Sequence, residues 1–414
     1  MSQCSPYRIL MFAPFFPPRS GPESHVNGKL ALAMFRRGWQ LDVITLAPKE
    51  EHNESSEQIW EPLRDITCSV PRNYPGQMKL MIERAVGVLS TMHPISGIVW
   101  ARHALKIARR LVREKEYDVI LSRSLPAAGH LPAMILSREN KIPWLANWND
   151  PAPPIVIFEP YGEGPTASIG FRWRHYMNSV TMSASWHTFP SDRLMNYMLR
   201  IYPFMRDKSS VIPHVALSDI VVTNPIKSNL FNLCHAGSLE IQRNPAIFFE
   251  GIKQFLKRNN KASDKILMKL VGNIASFSIP PELQKIIDIQ GLHSYTRSLE
   301  IMSKANVILV IEAPMAEGIP LPSKFVDAVQ CHCPIMAISP KIGVLSDFIK
   351  RYGGGIVADC KSPEEIALGL EILYRNWENM TLNSEFSTER LYQVFSEETV
   401  ISLYKDLFRK FGVG

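Results

Sequence analysis

NVILVIEAPMAEGIPLPSKFVDAVQCHCPIMAIS, residues 306–339, reads as a strand, a loop, a helix and a second strand. The apolar runs Val307–Ile311 and Pro334–Ile338 are short and rich in Ile and Val. Such runs suit parallel strands covered on both faces. Between them lie Glu317-Gly318-Ile319-Pro320-Leu321-Pro322-Ser323-Lys324 and a helical run, Phe325–Gln330. A loop that leaves the carboxyl end of a parallel strand and opens a helix is where α/β folds bind ligands. Lys324 falls in the first turn of that helix, beside unbonded backbone N–H groups and the positive dipole end. That position favours an anion such as a diphosphate. Asp327, three residues on, shares the helix face and can accept from sugar hydroxyls. The same pair also fits an ordinary i,i+3 surface pair at a helix start.

The pattern repeats on both sides. Leu230–Ala236 reads as a strand ending in Gly237-Ser238, Asn244–Lys257 as a helix capped by Asn244 with Pro245 first, and Ile266–Val271 as a strand ending in Gly272-Asn273. Ile356–Ala358 reads as a short strand, and Ser362-Pro363 as a capped helix start. Upstream, Arg8–Ala13, Leu41–Leu46, Thr67–Val70, Asp118–Ser122, Pro143–Ala146, His187–Pro190 and Ser210–Pro213 read as strands separated by helices or by Pro/Gly loops. G-x-G-x-x-G is missing after the first strand, so the dinucleotide fingerprint is too. Two strand–helix series predict two doubly wound Rossmann-like α/β domains facing across a cleft. The expected boundaries are 1–216 and 230–388, a linker at 217–229, and a C-terminal helical segment 389–414 that could pack back across the junction. Within that segment, residues 389–411 read as amphipathic helix.

A chain of 414 residues, 46% hydrophobic and 21% charged, has the make-up of a globular two-domain protein. Its six cysteines follow no disulfide framework, which points to a reducing compartment. Cys331-His332-Cys333 has no second ligand pair at zinc spacing. Neither a signal peptide nor an apolar run of membrane-span length is evident, so a cytoplasmic location is expected, or one on the cytoplasmic membrane face. Of the net charge of +7, much lies in residues 72–113, where eight Lys/Arg face one acid, Glu83. Apolar residues and Trp100 interleave with these cations, which suits an anionic lipid surface as well as a solvated helix beside core positions. No nucleic-acid-binding module is recognisable, so nucleic acid is not an expected partner.

Taken together, HAGSLEIQRNP (235–245), KLVGN (269–273), ANVILVIEA (305–313), GIPLPSKFVDAV (318–329), PIMAIS (334–339) and YGGGIVADCKSPEEIA (352–367) resemble the second half of a GT-B glycosyltransferase of family 4. RILMFAPFFPPRSGPESHV (8–26), RRGWQLDVIT (36–45), PWLANWNDPAP (143–153) and SVIPH (210–214) resemble its first half. The likeness spans nearly the whole chain in the family's order. It implies a retaining transferase that takes a sugar from a nucleotide diphosphate and passes it to a glycan or lipid-linked glycan in cell-surface polysaccharide synthesis.

The resemblance also implies roles. Asp327 matches the second acid of the family's E-x7-E motif, which contacts the nucleotide ribose. Lys324 matches the lysine of a subfamily variant reading P-x-K. The first acid has no clean counterpart: Ile319 stands at its position, and Glu317 is a shifted candidate. Relatives carry an Arg after the first C-domain glycine and a Lys further on; here those positions hold Ser238 and Arg243. Gly237, Gly272 and Gly318 complete the donor-binding set. Gly21 matches the glycine near the diphosphate after strand one, and Asp150 falls where relatives have a polar residue near sugar and acceptor. His25, His130, His235 and Glu312 are read as structural. Relatives usually work without a metal or cofactor, and no Asp-x-Asp metal motif stands out here. A sugar-nucleotide epimerase of the same architecture is an alternative, although few acids besides Asp118 and Asp150 stand in 95–150. A non-catalytic relative, suggested by Ser238, is another.

Overall fold

A computed structural model describes residues 7–48, 58–71, 76–218, 229–274 and 277–413. Most of the expected linker (219–228) and Arg72 of the basic segment lie outside the described residues. The described residues pack into two units. One takes in 1–157, 163–215 and 398–414; the other takes in 158–162 and 216–397.

The first unit holds β1 (Arg8–Phe12), β2 (Gln40–Leu46), β3 (Thr67–Val70), β4 (Val119–Arg123), β5 (Trp144–Asn147), β6 (Trp186–Phe189) and β7 (Ser209–Val211). These lie parallel in the order β3-β2-β1-β4-β5-β6-β7. The second holds β8 (Phe231–Ala236), β9 (Ile266–Val271), β10 (Ile287–Gly291), β11 (Val307–Ile311), β12 (Ile335–Ser339) and β13 (Gly355–Asp359). Their order is β10-β9-β8-β11-β12-β13, again parallel. Both sheets are doubly wound, as the alternation of apolar runs and helical periodicity predicts. In each, the strand order reverses beside the first strand: between β1 and β4, and between β8 and β11. A crevice opens outside the carboxyl ends of strands at such a point.

The opening stretch shows why the fold forms. Every residue of β11 and β12 is buried. Ile308 pairs with Ile335, Leu309 with Met336 and Ile311 with Ile338. Each large side chain removed from water contributes about 1.5–3 kcal/mol. The helices Ala246–Arg258 and Pro363–Glu378 cover this sheet with Phe248, Phe255, Leu370 and Leu373. They approach closely at Gly251, where a Cβ would come within 2.5 Å of Ile366.

Some local expectations shift. The helix after β1 begins at Pro22, because the fixed φ of proline suits a first helical turn. Asn244 accepts from the backbone N–H of Ala246 at 2.9 Å, so the helix starts one residue later than expected, with Pro245 just before it. The helix expected over 389–411 is two helices, Glu389–Phe395 and Glu397–Arg409. Ser396 between them is extended (φ −58°, ψ 149°) and bridges to Ala216. Residues 398–414 belong to the first unit, where Phe408 packs edge-on against Tyr7. Trp100, for which sequence left a lipid surface and a core position both open, is buried together with Ile95, Ile98 and Val99. The helix Ile98–Glu114 turns Ile98, Val99 and Trp100 into the core.

Candidate functional site

In the second unit the residues gather where the strand order reverses. The chain leaves β8 at Gly237 and β11 at Glu312. Gly237 has φ +146°, and a Cβ there would lie 3.6 Å from His235 Nε2 and 3.8 Å from Lys324 Nζ. Behind it, Gly272 has φ +126°, and a Cβ there would come within 2.6 Å of the Gly237 carbonyl oxygen. Two glycines therefore keep the wall of this crevice as bare backbone, for both conformational and steric reasons.

Lys324 is the second residue of the helix Ser323–Gln330. Its Nζ donates to the carbonyl oxygen of Ile311 at 2.9 Å and lies 3.2 Å from Glu312 Oε1. Arg243 approaches the other carboxylate oxygen, with Nη2 3.7 Å from Oε2. Glu312 is itself buried. One carboxylate thus faces two cations, and the group carries a net positive charge at the positive end of a helix. Burial pulls the Lys324 pKa down to about 8; Glu312 pushes it up and Arg243 lowers it. The ammonium form therefore prevails at neutral pH. His235 is fully buried and bonds the carbonyl of Leu309 through Nδ1 at 3.0 Å. Burial, then the charge of Lys324, lowers its pKa to about 3, so it stays neutral.

The other expected donor-side residues are placed as follows. Asp327 is 8% exposed, and its Oδ1 accepts from the Tyr295 hydroxyl at 2.7 Å. Ser238 sits half-buried beside Gly237. Gly318 forms a backbone bridge to Gly343, with Gly318 N–H donating to Ile342 at 2.9 Å. Its lack of a side chain serves that close packing, since a Cβ on Gly343 would come within 3.1 Å of the Gly318 Cα. Glu317 is half-buried in the same loop, and the carboxylate beside Lys324 is Glu312 instead. Glu312 was read as structural in sequence. Its signal was a lone charge at the very end of an all-apolar strand.

In the first unit, Gly21 has φ +127° and precedes the helix Pro22–Arg36. Its backbone, not the surrounding space, requires glycine, since nothing lies within 4 Å of a Cβ there. Asp150 follows β5 and is half-buried. Beside it is a residue the sequence reading did not single out, Glu23. Its Oε2 accepts from Asn149 Nδ2 at 2.8 Å and from Leu125 N–H at 3.3 Å. Burial and then the charge of Asp150 raise the Glu23 pKa to about 8, so the acid is protonated at neutral pH. Arg123, also buried, donates from Nε to Asn27 Oδ1 at 2.6 Å. His130 bonds Ser122 Oγ at 2.7 Å deep in the core, and His25 stacks on Trp60.

No protein-family model matches this chain, and no curated protein is similar to it in sequence. Solved structures are similar in fold. A glycosyltransferase from Rickettsia africae matches with TM-score 0.66 and 13% identity over 98% of each chain. Anabaena HepE, solved with UDP and glucose, matches with TM-score 0.67 and 12% identity over 97% of this chain and 99% of that one. WaaG, a glycosyltransferase involved in lipopolysaccharide biosynthesis, matches with TM-score 0.60 and 13% identity over 98% and 100%. The fold is GT-B.

Proposed function

We propose that this protein is a retaining glycosyltransferase, of the kind grouped in family 4, that transfers a sugar from a nucleotide-diphosphate donor to a glycan or lipid-linked glycan acceptor. The supporting observation is the Lys324–Glu312–Arg243 cluster, set against the bare backbone of Gly237 and Gly272 at the strand-order reversal of the second unit. Breaking the bond to the donor's diphosphate leaves anionic charge on it. Preorganised cations and a helix N-terminus stabilise such charge as it develops. Lys324 and Arg243 take that role, so transfer proceeds without a metal or other cofactor. Asp327, held by Tyr295, faces the ribose. Asp150 orients the acceptor hydroxyl. The reaction belongs to cell-surface polysaccharide synthesis in the cytoplasm, and its relatives in fold include one solved with UDP and glucose.

The buried Glu23 beside Asp150 is the observation that favours an epimerase instead, since a protonated acid next to a carboxylate suits proton transfer. A panel of nucleotide sugars, assayed with and without glycan acceptors, separates the two. Nucleotide release that depends on acceptor, with retained anomeric configuration by NMR, supports transfer. Interconversion of sugar nucleotides without acceptor establishes epimerisation.

A further inference from the structure

The first unit exposes an apolar stripe that its own core does not use. The helix Gln77–Thr91 packs on Ile98–Glu114 through Gly87, where a Cβ would come within 2.8 Å of Ile98. Glu83 also faces inward, pairing with Arg102 and, at 3.3 Å, with His103. The outward face carries Met78 (77% exposed), Met81 (68%), Ile82 (57%) and Leu89 (75%), followed by Met92 (71%). Met81, Ile82 and Leu89 lie three, four and eleven residues after Met78, which puts all four on one side of the helix.

The stripe continues onto a second helix, Phe171–Ser183. His93 follows Met92, and its ring lies 5.0 Å from that of His175. His175 in turn stacks at 6.4 Å on Phe171, which is 83% exposed. Lys79, Arg84, Arg172 and Arg174 are exposed on these two helices. The one acid of the first helix, Glu83, is turned away from them.

We propose that this face docks in the plane of an anionic lipid surface, with Met78, Met81, Ile82, Leu89, Met92 and Phe171 entering the acyl boundary and the four cations meeting the headgroups. The chemistry is that of an interfacial amphipathic helix. At 15 residues, Gln77–Thr91 is too short to cross a bilayer, and among the described residues no helix is long and apolar enough to do so. A second copy of the chain fits less well, because two such faces would bring like charges together.

The position of the patch ties it to acceptor delivery, a point that rests on the glycosyl-transfer reading. A Cβ on Gly97 would come within 2.9 Å of Ala128 Cβ, and the Tyr176 hydroxyl donates to the Ala127 carbonyl at 2.6 Å. Both anchor the patch to the loop that leaves the carboxyl end of β4. Leu125 of that loop donates to Glu23, the neighbour of Asp150. A lipid-linked glycan held at this surface would therefore present its sugar at the strand end where Asp150 stands.

Vesicle co-sedimentation tests the inference, using phosphatidylcholine vesicles with and without phosphatidylglycerol. The full chain should sediment with the anionic vesicles only, and less so as salt rises. The Met81→Glu/Leu89→Glu variant should lose binding about tenfold or more, and the Lys79→Ala/Arg84→Ala variant, which keeps Arg172 and Arg174, should show a weaker dependence on salt than the wild type. Uridine diphosphate affinity, measured by calorimetry on each variant, should stay at the wild-type value. Absence of wild-type binding to anionic vesicles overturns the inference, and so does equal binding by Met81→Glu/Leu89→Glu. So does a wild-type dimer in light scattering that this variant converts to monomer, since the face would then be covered by a second copy. Lack of nucleotide binding by the wild-type chain bears on the transferase reading alone.

Discussion

Lys324 carries the most weight of any single side chain. Replacing it with Ala removes a charge-assisted contact of about 1.5–3 kcal/mol, so nucleoside diphosphate affinity should fall about tenfold or more by calorimetry. Because burial sets its pKa near 8, the same affinity should decline as pH rises through about 8, where the ammonium is lost. Glu23 gives the opposite kind of test. Its folded pKa is raised to about 8, so the folded state binds more protons than the unfolded one at intermediate pH. The stability this gives is complete below the ordinary carboxylate range and is lost as pH rises to about 8. Glu23→Gln mimics the protonated acid, so its melting temperature should gain on wild type as pH rises from 5 to 8. A constant difference across that range would show that Glu23 does not titrate there. Lys324 and Gly237 stand out in sequence because each lies in a loop or helix start after a strand end, and Arg243 stands out only through the family resemblance. Sequence missed Glu312 and Glu23 as partners because pairing with Arg243, or with Asn149, depends on contacts 69 to 126 residues apart.

At the scale of elements, the opening stretch was legible because its residues agree with one another. Two all-apolar runs bracket a Pro-rich loop, and the helix after it begins with Ser323 and Lys324. Pro322, just before that helix, cannot donate to the preceding backbone. Where patterns compete, boundaries move. Residues 389–411 keep helical periodicity across Ser396, yet the bridge from Ser396 to Ala216 holds that residue extended, a tertiary pairing that no local pattern announces. Trp100 stayed open in sequence for a related reason: cations are spread through its segment, and only the packing of the helix shows that it turns inward. The glycine crossing between the β8 and β9 loops yields a sharp prediction. Gly272→Ala places a Cβ 2.6 Å from the Gly237 carbonyl oxygen at φ +126°. It should destabilise the fold by about 1–3 kcal/mol in urea unfolding. It should also weaken nucleotide binding, because Gly237 must move.

For the molecule as a whole, two parallel sheets with the same winding were readable from strand–helix alternation over the full length. Residues 398–414 group with the first unit. There Phe408 meets Tyr7 and Trp39, and the ring of Phe411 lies near that of Trp186. Truncation after Glu397 would expose those rings and lower the melting temperature of the chain. A truncated chain that melts as the full one does would show that this helix contributes nothing to the first unit.

The proposed nucleoside diphosphate site centres on Lys324 of the second unit. Isothermal titration calorimetry of uridine diphosphate into the wild-type chain and the Lys324→Ala variant, at pH 7 and pH 9, tests it most directly. The predicted result is one site per chain in the wild type, weaker at pH 9, with affinity cut about tenfold or more by the substitution at pH 7. Equal affinity in the folded variant, or no heat of binding in the wild type with uridine or any other nucleoside diphosphate, would contradict it.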